Sequence, residues 1–261
     1  MTDSSLPLDA YVVIDNNVIV GLAEYFTDTY KDLAFPETIN VTCQEITTTF
    51  NKLRRFALDG KILTTQIIQD EFKPENNKSL NSRRDFNHKI CDQLKSHVKS
   101  EVEVCDIKTS AIEKLRSMTE TPSKFGPKLK ALSDPDLSLV ILALGIINQT
   151  GRRVYILADE EDLRSFISWM KPKSEAKSIC KNTHLLESIH SMIYMDNAHR
   201  HCAFTTMEIS SIFMHYQQKQ LKRLALGGTT KMGMIEITYD EIRRLIYLSG
   251  QIKQKNLAGI L

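Results

Sequence analysis

The chain lacks paired cysteines, a glycine-rich phosphate loop, a long apolar run and a dense set of aromatics. Its five cysteines, Cys43, Cys91, Cys105, Cys180 and Cys202, are odd in number, widely spaced and free of any CxxC pair. That argues against a disulfide framework and against a thiolate zinc site, and it fits a reducing interior with single buried thiols. Without a glycine-rich loop, nucleotide-dependent functions have no support. The longest apolar run, Leu137 to Ile147, is interrupted by Ser138 and Gly145. A bilayer needs about 20 apolar residues, so no membrane partner is expected. Met1 to Ala10 has neither the basic start nor the apolar stretch of a secretory signal, which predicts a cytoplasmic protein. Aromatics make up 7% of the chain, too sparse for a base-stacking array, and Trp169 with Phe166 reads as a core anchor.

What is present is ordinary in amount and informative in arrangement. Hydrophobic residues at 42% and charged residues at 25% allow a sizeable core. Residues 1–162 carry 20 Lys and Arg against 25 Asp and Glu, whereas residues 163–261 carry 14 against 7. An acidic front half and a basic back half suit a protein that holds cations in one place and a polyanion in another. Solvated helix faces carry such excesses as well.

Tyr11 to Ile14 is a β-branched run that predicts a buried first strand ending at Asp15, with Asn16 and Asn17 available to cap a helix over Val18 to Tyr25. Thr42 to Leu58 places Ile46, Phe50, Leu53 and Ala57 on one helical face, stopped by Asp59-Gly60. Ile62 to Thr65 predicts a second strand, followed by helix from Gln66 to Phe72. Lys73 to Ser82 reads as a polar loop, Arg83 to Ser100 as a surface helix, Val102 to Ile107 as a third strand and Thr109 to Met118 as a helix. Thr121 to Lys128 is a basic loop. Ser133 to Asn148 predicts an apolar helix with Ser133 or Asp134 as N-cap and Pro135 in its first turn. Val154 to Leu157 reads as a fourth strand, ending in Asp159-Glu160-Glu161-Asp162. Residues 171–184 form a basic connector, and helix is expected from His184 onward, including Tyr239 to Lys255. Alternating strands and helices predict an α/β protein with a Rossmann-like parallel sheet wrapped by helices and a C-terminal helical extension.

Acids stand at four transitions: Asp15, Glu71, Asp136 and the 159–162 cluster. In a parallel sheet such points can converge at the carboxyl edge, where ligands bind. Converging carboxylates repel unless a cation lies between them, and hard divalent ions prefer oxygen ligands. Each acid taken singly also serves as a helix cap or first-turn charge. His199 and His201, with Cys202 and His190 nearby, point apart on a helix and form an incomplete metal set.

Four segments resemble PIN domains. Val13 to Ile19 is similar to the opening signature, a strand ending in Asp and a polar turn. Thr64 to Phe72 resembles the second, a helix carrying a Glu. Leu132 to Leu144 resembles the third, an acid leading an apolar helix, closer to the ribosomal-RNA-processing endonucleases than to the small toxin type. Tyr155 to Leu163 is similar to the fourth, a strand followed by closely spaced acids. The resemblance covers about residues 10–170 in the family's order. It implies a PIN-like nuclease domain there, a basic helical extension over 184–261, and metal-dependent hydrolysis of RNA phosphodiester bonds. By the same resemblance Asp15, Glu71, Asp136, Asp159, Glu160 and Asp162 are catalytic. Mg²⁺ or Mn²⁺ would be held by Asp15, Asp136, Asp159 and Asp162, and Asn17 would support Asp15 in the turn. Asp134 is expected as a cap rather than a ligand.

The family's usual Thr or Ser is Ala158 here, and the last motif aligns in two registers, one using Glu160 and Asp162, the other Asp159. An inactive PIN-like RNA-binding or protein-interaction module is therefore the second reading. A haloacid-dehalogenase phosphotransferase needs Asp-x-Asp after the first strand, and Asn17 stands at the second position. Lys171, Lys173, Lys177, Lys219, Lys222 and Arg223 are the expected contacts to an RNA backbone, and the C-terminal helices are an expected site of protein partnership or self-association.

Overall fold

A computed structural model describes residues 9–70, 102–119, 132–159, 161–200, 203–212 and 214–215. Among these residues five strands, β1 (Ala10–Ile14), β2 (Ile62–Thr65), β3 (Glu103–Cys105), β4 (Arg153–Leu157) and β5 (Leu186–Ile189), form one sheet in the order β3-β2-β1-β4-β5. Every pairing is parallel. The helices are α1 (Asn16–Thr29), α2 (Phe35–Arg54), α3 (Gln66–Asp70), α4 (Thr109–Thr119), α5 (Asp134–Thr150), α6 (Glu161–Met170), α7 (Ser174–Ile179) and α8 (Ser191–Arg200), with further helical residues at 206–212. The class is α/β with an open all-parallel sheet, consistent with a Rossmann-like arrangement.

A parallel sheet is covered on both faces, so its central strands are apolar throughout rather than alternating. Val12 and Ile14 of β1, with Tyr155 and Leu157 of β4, pack into one core with α1, α2, α8, Phe204, Ile209 and Ile212. Val13, Val154 and Ile156 point the other way, into a second core with α4, α5, α6 and α7. These strand side chains are essentially fully buried, each contributing about 2 kcal/mol of hydrophobic stabilisation. Among the described residues no helix is long and apolar enough to cross a membrane.

Several expectations need correction. Asp15, not Asn16 or Asn17, caps α1, because its short carboxylate reaches the Asn16 N–H. Helix α2 starts at Phe35 rather than Thr42, since proline is tolerated in a first turn, and it stops at Arg54. Ser133 is the N-cap of α5, leaving Asp134 inside the helix, ion-paired with Arg116. The stretch expected to be a connector and then helix holds α7 and the strand β5, and α8 packs into the first core. The sheet therefore runs beyond residue 170. The loops expected at 73–82 and 121–128, the helix expected at 83–100 and everything from residue 216 lie outside the described residues.

Candidate active site

The chain leaves β1 towards β2 and β3 on one side, then returns to lay β4 and β5 on the other. The order reverses between β1 and β4, and at such a point the loops splay apart and leave a crevice at the carboxyl ends of the strands. Two acids stand there. Ile14 and Leu157 are register partners, and the Asp15 N–H donates to the Leu157 carbonyl at 3.0 Å. Asp15 and Ala158-Asp159 thus leave the sheet side by side.

Asp15 is 5% exposed, and its Oδ1 accepts the Asn16 N–H at 2.7 Å. Asp159 is 3% exposed; its Oδ1 accepts the Ser191 N–H at 2.9 Å and lies 3.4 Å from His190 Nδ1. Its Oδ2 is buried and finds no hydrogen-bond partner among the described residues. Asn17 Oδ1 accepts the Asp159 N–H at 3.3 Å, so Asn17 ties the two turns together. Ala158 brings no hydroxyl, and its N–H donates to Ile189 in β5 at 3.1 Å.

Asp136 and Asp162 stand in the first turns of α5 and α6. Asp136 closes a capping box: its Oδ2 accepts from Ser133 N–H at 3.1 Å and Ser133 Oγ at 2.7 Å, while Ser133 Oγ accepts the Asp136 N–H at 3.3 Å. Burial pushes the Asp136 carboxyl above the usual carboxylate range; the Ser133 hydrogen bonds pull it back, and the Asp162 charge adds to the rise.

The start of α5 is fastened to the sheet by buried hydroxyls. Thr65, last in β2, lies 2.7 Å from Ser138 Oγ, and Ser138 Oγ donates to the Pro135 carbonyl at 2.6 Å. Thr65 Oγ1 also accepts the Ile68 N–H at 3.2 Å, and Thr64 Oγ1 donates to the Ile14 carbonyl at 3.0 Å. Asp136, like Asp15 and Asp159, consequently stands towards the carboxyl edge of the sheet.

Among the described residues no three His, Cys, Asp or Glu side chains are grouped to hold a metal ion. Glu71 and Glu160 lie outside the described residues, as do Lys219, Lys222 and Arg223. The oxygens present have the chemistry a hard cation takes: two buried carboxylates on adjacent strand ends, one with an unpartnered oxygen. On that observation the donor set fits Mg²⁺ or Mn²⁺.

Lys171, Lys173 and Lys177 lie at the far edge. Lys171 follows α6, where burial lowers its ammonium pKa, the Glu187 charge opposes that and Arg153 adds to it. Arg153 opens β4, so this neighbourhood is the amino edge of the sheet. Lys173 Nζ stands 5.1 Å from the centre of the Trp169 ring, and Lys177 is exposed on α7. Phe166 is buried beside Trp169, with ring centres 6.0 Å apart. His199 Nδ1 meets the Phe204 carbonyl at 2.6 Å, and His201 and Cys202 are outside the described residues.

His190 and Ser191 were not among the expected site residues, because β5 was read as helix. The sequence offered little signal for them, since Leu186 and Ile189 bracket the polar Glu187 and Ser188. The fold and its edge define an α/β protein with two buried acids side by side at the sheet's switch point. Comparison of the chain with protein-family models, with curated proteins and with solved structures gives no match in any of the three.

Proposed function

We propose that the chain is a PIN-like, divalent-metal-dependent endoribonuclease that hydrolyses RNA phosphodiester bonds in the cytoplasm. The observation that carries this reading is the pair Asp15 and Asp159, both buried at the switch point, with Asp159 Oδ2 unpartnered among the described residues. Two neighbouring buried carboxylates repel each other, and a cation between them would relieve that repulsion. Asp15 and Asp159 would hold Mg²⁺ or Mn²⁺, with Asp136 and Asp162 beside them and Glu71 and Glu160 completing the acidic set. A bound divalent cation supplies positive charge against phosphoryl oxygens and acidifies a water. The chain's own residues do the rest. Asn17 couples the two acid-bearing turns, and Asp136, with its raised pKa, is suited to accept a proton from an attacking water.

One observation favours the second reading, an RNA-binding or protein-interaction module without turnover. Asp15, Asp136 and Asp159 each already accept a backbone N–H, which is the work of a helix cap or turn brace. The test is incubation of the full chain with labelled single-stranded RNA in Mn²⁺, Mg²⁺ or EDTA, beside Asp15→Asn and Asp136→Asn. Metal-dependent cleavage that vanishes in both variants is expected. RNA bound equally by all three proteins, with no cleavage in either metal, would replace the nuclease with the binding module.

A further inference from the structure

Asp159 is gripped by a turn that belongs to neither β1 nor β4. Beyond β5, Ser191 N–H donates to Asp159 Oδ1 at 2.9 Å, and His190 Nδ1 lies 3.4 Å from the same oxygen. His190 is completely buried, and its Nδ1 accepts the Met192 N–H at 3.1 Å. A ring nitrogen that accepts carries its lone pair in that direction, which places the ring proton on Nε2. Nδ1 and Asp159 Oδ1 then meet as two acceptors. The imidazole acts as a wall on one side of Oδ1 while the Ser191 N–H holds the other. The Ser191 hydrogen bond favours one orientation of the carboxylate about its Cβ–Cγ bond, and Oδ2, buried and unpartnered among the described residues, is the oxygen left for a ligand.

We infer that His190 is a positioning residue for the acidic crevice, fixing Asp159 through the β5–α8 turn so that Oδ2 is presented to a divalent cation. This rests on the hydrolytic reading above. The part that acts is the Nδ1 acceptor towards Met192 N–H, which sets the ring plane and the turn together. An asparagine puts its Oδ1 close to where Nδ1 stands and keeps that hydrogen bond. An alanine loses both the bond and the wall.

The experiment measures Mn²⁺ binding by the full chain from the paramagnetic resonance of free Mn²⁺, together with the Mn²⁺ dependence of RNA cleavage. The proteins are wild type, Asp159→Asn, His190→Ala and His190→Asn. Groups that orient metal ligands typically change affinity or activity by about 10–100-fold, so His190→Ala is expected to weaken Mn²⁺ binding in that range. It should lower kcat with the KM for RNA unchanged. His190→Asn is expected to bind Mn²⁺ like wild type, and it carries the test if the alanine variant does not fold. Binding weakened by Asp159→Asn but untouched by His190→Ala would overturn the positioning role and leave the site intact. Loss in His190→Asn equal to that in His190→Ala would overturn it too, since the acceptor would then not be what matters. A wild-type chain that neither binds Mn²⁺ nor cleaves RNA would overturn the hydrolytic reading and this inference with it.

Discussion

The strut between β2 and α5 can be tested by a double-mutant cycle on Thr65 and Ser138, both fully buried. Ser138 gives its single hydroxyl proton to the Pro135 carbonyl, so Thr65 must donate in the 2.7 Å contact between the two hydroxyls. Thr65 in turn accepts the Ile68 N–H, one of the donors that the start of α3 leaves open. The chain of hydrogen bonds therefore has one direction, from Ile68 N–H through Thr65 and Ser138 to Pro135. Thr65→Val removes two of these bonds and strands a buried acceptor and a backbone donor. At about 1 kcal/mol net per bond, and about 1–3 kcal/mol for a stranded buried group, the cost is about 3 kcal/mol. Ser138→Ala removes the acceptor for Thr65 and costs about 1.5 kcal/mol. In the double variant neither hydroxyl is left wanting, so the total is expected near about 3 kcal/mol, short of the sum by about 1–2 kcal/mol. Urea unfolding of the four proteins measures this. Single effects that add to within about 0.5 kcal/mol would refute the directional chain, because independent sites behave that way.

The raised pKa of Asp136 makes stability depend on pH. A carboxyl whose folded pKa lies above its unfolded value of about 4 stabilises fully below that value and loses the contribution as pH rises through the folded pKa. Asp136→Asn, still able to accept from Ser133, should therefore gain on wild type between pH 4 and pH 7 in urea unfolding, while losing cleavage. A gain that shrinks over that interval would contradict the assignment. The Cys43 thiol is buried and pushed up to about 11 by burial, so it should resist iodoacetamide at pH 8 in the folded chain. Peptide mapping that finds Cys43 alkylated as fast as a free thiol would show that α2 does not pack as described.

The parts of the fold written in apolar pattern were legible. Val12-Val13-Ile14 and Val154 to Leu157 read as short buried strands, and the length of Leu137 to Ile147 marked it as helix. Strand β5 was not legible, because Leu186-Glu187-Ser188-Ile189 mixes polar residues into four positions. As the outer strand it answers to a local partner: Glu187 pairs with Arg153, a contact made across strands and invisible along the chain. At the site, the acids after β1 and β4 were legible as strand ends. That they lie next to each other was not, since adjacency depends on strand order. The Ser133-x-x-Asp136 spacing is itself a capping-box signature, and it explains why Asp136 is both a structural acid and a candidate chemical one. His190 was hidden with β5.

The seam between β1 and β4 also fixes a schedule. Residue 10 pairs with residue 153, so the two halves of the crevice are made far apart in time as the ribosome emits the chain. Pairings this distant in sequence close slowly, because a long loop must be ordered before any contact rewards it. Until Leu157 arrives to accept its N–H, Asp15 has no neighbour from β4 and the crevice has one wall. His190 and Ser191 come later still. The pairing of the two acids is thus a late product of synthesis, and a nascent chain that stops short of β5 carries Asp15 without the turn that holds Asp159.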